Sequence, residues 1–188
     1  FHNNYKTYGV ITARHFNAQY HGTAKSGIGI MVSWFKETMP DIYDLLDPKN
    51  PKSKWDFSKY KPDIVVVNLF QNDSYLVTLP EHEQYKARFG TQKPTEDFYI
   101  TSYMDFIRSV RAKYPKAQII CCLGSMGAVK PGSKWPGYID EAVKRLKDDK
   151  VVTHFFEYKG SDDHPKVKAQ QAMADSLIAF IEEKGYFN

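Results

Sequence analysis

The chain has 188 residues, the usual size of one domain, and its 42% hydrophobic content can bury a core, which excludes a disordered or fibrous chain. No run approaches the roughly 20 apolar residues that cross a bilayer. A net charge of +4, with 26 Lys+Arg and 22 Asp+Glu interspersed, is too mild and too mixed to indicate nucleic acid. Two adjacent cysteines, Cys121 and Cys122, cannot form a disulfide framework, and they read as buried packing thiols. The 15% aromatic content leans weakly towards an extracellular or sugar-handling protein. The sequence starts at Phe1, with neither Met nor a signal-peptide pattern, as a fragment or a processed chain would.

Taken in order, Tyr8, Ile11, Thr12, His15 and Phe16 have a loose helical spacing, and Tyr20 to Ala24 is a short strand candidate. Lys36 to Leu46 predicts a second helix, with Pro40 near its start. Lys49 to Lys61 is polar and reads as a surface connection. The β-branched run from Asp63 to Leu69 predicts a strand buried on both faces. Gln71 to Lys93 reads as a long loop, a length that usually carries function. Tyr99, Tyr103, Phe106, Ile107, Val110 and Tyr114 then repeat with helical period, and Ala117 to Leu123 predicts another buried strand. Ile139 to Leu146 marks a helix started near Pro136, Val151 to Tyr158 a last strand, and Pro165 opens a final helix. Strands alternating with helices predict an α/β domain with a mostly parallel sheet.

In such a sheet the ligand crevice lies beyond the carboxyl ends of the strands. Three blocks fall there: Lys25-Ser26-Gly27-Ile28-Gly29-Ile30, Asn68-Leu69-Phe70-Gln71-Asn72-Asp73-Ser74-Tyr75, and Gly160-Ser161-Asp162-Asp163-His164-Pro165. Singly, each has a structural reading as a turn, a cap or a packing histidine. Jointly, at successive crevice positions, they suit acyl transfer, which needs a nucleophile, a general base and donors for an oxyanion. The Gly27 N–H is unshielded by a side chain, Asn72 offers an uncharged N–H₂, and His164 is the natural base.

These blocks resemble the SGNH (GDSL-type) hydrolases, and most closely carbohydrate esterase family 2, over nearly the whole chain. Leu123-Gly124-Ser125-Met126 and Gln171-Ala172-Met173-Ala174-Asp175 are similar to two further family segments. The resemblance implies a flavodoxin-like three-layer α/β/α fold with strand order 2-1-3-4-5. It implies Gly27 and Asn72 as oxyanion donors and His164 as the base, oriented by Asp162 or by the Asp163 carbonyl. The family's Gly-Asp-Ser block is absent from these residues. The whole chain thus reads as one SGNH domain lacking its first strand, with an upstream segment or a second chain expected to supply strand and serine. Phe70-Gln71 stands where the family has Gly-Thr, a bulky replacement that bears on either the local turn or the room for the acyl group.

The implied activity is removal of O-acetyl groups from polysaccharides or oligosaccharides through an acyl-enzyme. The implied location is extracellular or periplasmic, with a β-sandwich domain upstream. Trp34, Trp55, Phe70, Tyr75 and Trp135 are candidate substrate-binding aromatics. The six histidines show no metal-ligand spacing, and no cofactor, membrane or nucleic-acid partner is indicated. A non-catalytic carbohydrate-binding relative and an esterase acting on other acyl groups are the alternatives.

Overall fold

The structure, a computed structural model, describes residues 3–187. Three parallel strands, β1 (Ile64–Asn68), β2 (Gln118–Leu123) and β3 (Val151–Phe155), lie in the order β1-β2-β3, with Val66 opposite Ile120 and Ile120 opposite Val152. Side chains on β2 alternate between two cores, as the strand period requires. Ile119, Cys121 and Leu123 pack with α5 (Glu96–Lys113) and α6 (Trp135–Leu146), whereas Ile120 and Cys122 face α7 (Val167–Lys184). Helix α1 (Tyr8–His15) packs beside α7, and its Tyr8 and the adjoining Phe16 complete that second core. The result is the three-layer α/β/α arrangement.

The clearest helix illustrates why these residues choose these elements. In α5, Thr95 caps the first turn by accepting the Phe98 N–H, Glu96 and Asp97 sit at the positive end, and Arg111 and Lys113 at the negative end. Its buried stripe runs through Tyr99, Tyr103, Phe106, Ile107 and Val110. At the foot of the sheet, the Arg111 guanidinium bonds the Asp148 carboxylate at 2.7 Å and the carbonyls of Tyr114, Ala117 and Lys150 at 2.6–3.1 Å. That one side chain ties together the chain entering β2 and β3.

Five expectations need correction. Tyr20–Ala24 is not a strand; its backbone finds no ladder partner among the described residues, and local propensity alone cannot make one. Gln71–Lys93 is not a bare loop but holds α3 (Gln71–Leu76) and α4 (Glu83–Phe89). Lys36–Leu46 contains only one helical turn, α2 (Met39–Ile42), closed by a Thr38/Asp41 capping box with Pro40 in its first turn. β1 is also less buried than its sequence suggests: Val67 alone is buried, and among the described residues β1 pairs only with β2. The last strand stops at Phe155, short of Tyr158. No described helix is long and apolar enough to cross a membrane.

Candidate active site

A cleft of about 1510 Å³ opens over the carboxyl ends of the strands. It gathers Gly27, Trp34, Asn72, Tyr75, Trp135, Asp162 and His164, which come from segments far apart in sequence.

The Gly27–Asn72 wall is built around a carboxylate. Asp73, in the first turn of α3, is fully buried and accepts the backbone N–H groups of Ile30, Met31 and Val32 at 2.7–3.1 Å. Burial pushes its carboxyl up to about 6, while the N–H groups of Met31, Ile30 and Val32 pull the other way. Gly29 is required beside it, because a Cβ there would lie 2.6 Å from Asp73 Oδ2. With that turn fixed, Gly27 takes a positive φ of 79° that a side chain would strain. Asn72 reaches the same turn by donating from Nδ2 to the Ile28 carbonyl at 2.8 Å, and its Oδ1 accepts the Trp34 indole N–H at 3.2 Å. One N–H of the Asn72 amide is left for the cleft.

The opposite wall comes from the chain after β3. His164 is exposed, and no described residue hydrogen-bonds its ring. The loop carrying it is clamped by Lys159, whose backbone N–H reaches the Ser125 carbonyl at 3.0 Å and whose Nζ meets the Ser161 carbonyl at 2.9 Å and hydroxyl at 2.5 Å.

Aromatic rings frame the rest. Trp34 lies tilted at 5.8 Å from Tyr75, and Trp135 stacks on Tyr99 at 5.1 Å. Glu96 accepts from Lys134 Nζ at 2.8 Å and from Tyr138 O–H at 2.9 Å on the far rim.

No family model matches the chain. The cellulase/esterase CelE of Acetivibrio thermocellus is 34% identical over 97% of the chain, which spans 22% of that relative. An acetylxylan esterase / glucomannan deacetylase of Cellvibrio japonicus is 26% identical over 97% of the chain and is spanned to 51%. The fold matches a family two carbohydrate esterase from Clostridium thermocellum, solved in complex with cellohexaose, with a TM-score of 0.80 and 33% identity over 98% of this chain and 56% of that one. The chain is thus similar over nearly all of its own length to esterases that include a family two carbohydrate esterase, and it spans 22–56% of theirs.

The three sequence blocks do converge, but three candidate residues stand elsewhere than expected. Phe70 does not line the cleft. It is fully buried, with its ring 4.8 Å from Tyr103 and 5.2 Å from Trp135, so it supports Trp135 from below. Its φ of 84° is the left-handed conformation that a glycine adopts freely, and a Phe there costs about 1–3 kcal/mol. Asp162 does line the cleft, but its Oδ1 faces Gly127, where an added Cβ would lie 2.8 Å away, and it makes no hydrogen bond to His164. Trp55 is not among the lining residues.

Three serines line the cleft: Ser26 is exposed in the turn before Gly27, and the other two are engaged with backbone carbonyls. Ser74 donates to the Gln71 carbonyl at 2.7 Å and Ser133 to that of Ala128 at 2.6 Å. Among the described residues the Ser–His contact is His154 with Ser176 at 3.0 Å, which joins β3 to α7 and lines no part of the cleft. Cys121 and Cys122 are fully buried, and burial pushes the Cys121 thiol up to about 12, in keeping with packing. No cluster of three or more His, Cys, Asp or Glu placed to hold a metal occurs among the described residues.

Sequence reading missed the part played by Asp73. Its neighbour Asn72 drew attention, yet a carboxylate in a helix's first turn ordinarily reads as a cap. The indole contact of Trp34 left no sequence signal at all.

Proposed function

We propose that this chain is the hydrolase domain of a secreted carbohydrate esterase that removes O-acetyl groups from polysaccharides or oligosaccharides. The observation that carries this reading is the convergence of Gly27, Asn72 and His164 on one aromatic-lined cleft.

The chemistry follows from those positions. A serine hydroxyl adds to the acetyl carbonyl as His164 takes its proton. The Gly27 N–H and the free Asn72 N–H receive the oxyanion. Collapse breaks the bond to the sugar oxygen, which leaves with the proton from His164. Water then hydrolyses the acetyl-serine by the same sequence, releasing acetate. We place that serine at the end of a strand pairing along the open edge of β1, contributed by a segment of the same polypeptide upstream of Phe1. Two features support this assignment: the edge of β1 left unpaired among the described residues, and relatives that extend well beyond the matched region. A β-sandwich domain upstream and an extracellular or periplasmic location belong to the same proposal.

The test is acetate release from acetylated xylan and glucomannan by the protein carrying this chain, beside p-nitrophenyl acetate and longer-chain p-nitrophenyl esters. Release of acetate that is lost in His164→Ala is expected. Oligosaccharide binding without any ester hydrolysis would instead assign a non-catalytic binding role, and a preference for long acyl chains would assign another ester class.

A further inference from the structure

Trp34 touches both groups proposed to receive the oxyanion. Its backbone N–H donates to the Gly27 carbonyl at 3.0 Å, and a Cβ on Gly27 would meet Trp34 Cδ1 at 3.1 Å. Its indole N–H reaches Asn72 Oδ1 at 3.2 Å. The ring itself is held: Tyr75 flanks it, and His82 meets it edge-on at 5.2 Å and 88°. His82 is fixed in turn, accepting the Gln84 N–H at its Nδ1 as the cap of α4.

An indole N–H is a donor only, so it can meet the oxygen of an amide but not its NH₂. Asn72 has two ways to place its amide. In the observed one, Oδ1 takes the indole proton while Nδ2 serves the Ile28 carbonyl and keeps one N–H for the cleft. In the flipped one, NH₂ would oppose the indole N–H and Oδ1 would oppose the Ile28 carbonyl. Both hydrogen bonds would be lost, and the cleft would see a carbonyl oxygen in place of a donor, repelling an oxyanion. The Ile28 carbonyl favours the same orientation but is a single acceptor; Trp34 is the second, independent constraint.

We propose that Trp34 is a positioning residue, whose indole N–H locks the Asn72 side-chain amide with an N–H aimed into the cleft. For its effect on rate this rests on the esterase reading; for the orientation of Asn72 it does not. Trp34 is 44% exposed, so Trp34→Phe keeps the aromatic face and removes only the donor. In the full-length protein, W34F should lower kcat about tenfold, the order one hydrogen bond carries, with KM little changed. In an Asn72→Ala background the same substitution should cost no further rate, because the group it positions is gone. An equal kcat loss in both backgrounds, or a change confined to KM, would overturn the proposal.

A readout independent of activity separates its failure from that of the esterase reading. In ¹⁵N-indole-labelled protein, the Trp34 resonance should exchange with solvent at least roughly tenfold faster in N72A than in wild type, and return towards wild type in N72D, which keeps an acceptor oxygen. An indole signal indifferent to N72A would reject the contact, whether or not the protein hydrolyses esters.

Discussion

Across the cleft, two walls carrying equally important groups are held very differently. Around Asn72, Asp73 takes three backbone N–H groups, and the Asn72 amide is bonded at both ends. Across from it, His164 stands exposed on a loop tied through Lys159, with no hydrogen bond to its own ring among the described residues. Donors that stabilise developing charge must be fixed before the reaction, since their value lies in not having to reorganise. A base instead tightens its hydrogen bond when its nucleophile and substrate arrive. The asymmetry therefore separates groups whose loss harms rate alone from groups whose loss harms rate and fold together.

The largest expected effect lies on the open wall. His164→Ala should lower kcat by several orders of magnitude, because base and nucleophile act as a unit, while shifting stability by no more than about 0.5 kcal/mol. Steady-state kinetics and a melting curve on the same preparation check both halves, and a rate within tenfold of wild type would remove His164 as the base. Asn72→Ala should cost on the order of 10²–10³ in kcat with a smaller effect on KM; a rise in KM at constant kcat would make Asn72 a substrate-binding residue instead. Asp73→Asn should act on both: its NH₂ faces backbone donors, leaves at least one N–H unpaired, and costs about 1–3 kcal/mol in denaturant unfolding. Unchanged stability would show that the carboxylate does not hold the 29–32 turn.

The smallest effect is a pH dependence. Asp73 is pushed up to about 6 from an ordinary 3.8, so the folded state holds its proton more tightly than the unfolded state does. This group adds stability as pH falls and loses it as pH rises through about 6. Between pH 7 and pH 5, about one unit below the folded value, the gain of wild type over D73N should reach about 1 kcal/mol. A difference between the two proteins that stays constant over that range would show that the carboxylate is not strained by burial.

Periodicity revealed α5, β2 and α7 because each buries a long, regular apolar set, and β2 is legible on both faces at once. The short elements beside the site were not legible. α3 has six residues, starts from a non-glycine in the left-handed region, and buries a charged Asp73 alongside Leu76. α4 is capped by a histidine, an unusual cap. Phe70 was visible as a bulky residue in a tight place, but sequence does not say which way a side chain points once the backbone turns left-handed. Tyr20–Ala24, a strand candidate in the sequence, has no neighbour to pair with among the described residues. The converging blocks could be read because catalytic groups need particular atoms at strand ends. The residues that hold those groups still, Asp73 and Trp34, act through contacts that only the fold creates.

The Arg111 clamp lies at the end of the sheet remote from the cleft, and it binds carbonyls of the backbone as well as one carboxylate. A laboratory search for altered acyl or sugar scope can therefore divide the chain. Tyr75, Thr78, Lys130 and Tyr138 line the cleft, and none of them bonds to that clamp, so they can be randomised together while β2, β3 and Arg111 are left untouched. Libraries that also vary position 111 would confound lost folding with lost turnover, since no other side chain carries five donors in one plane to replace it.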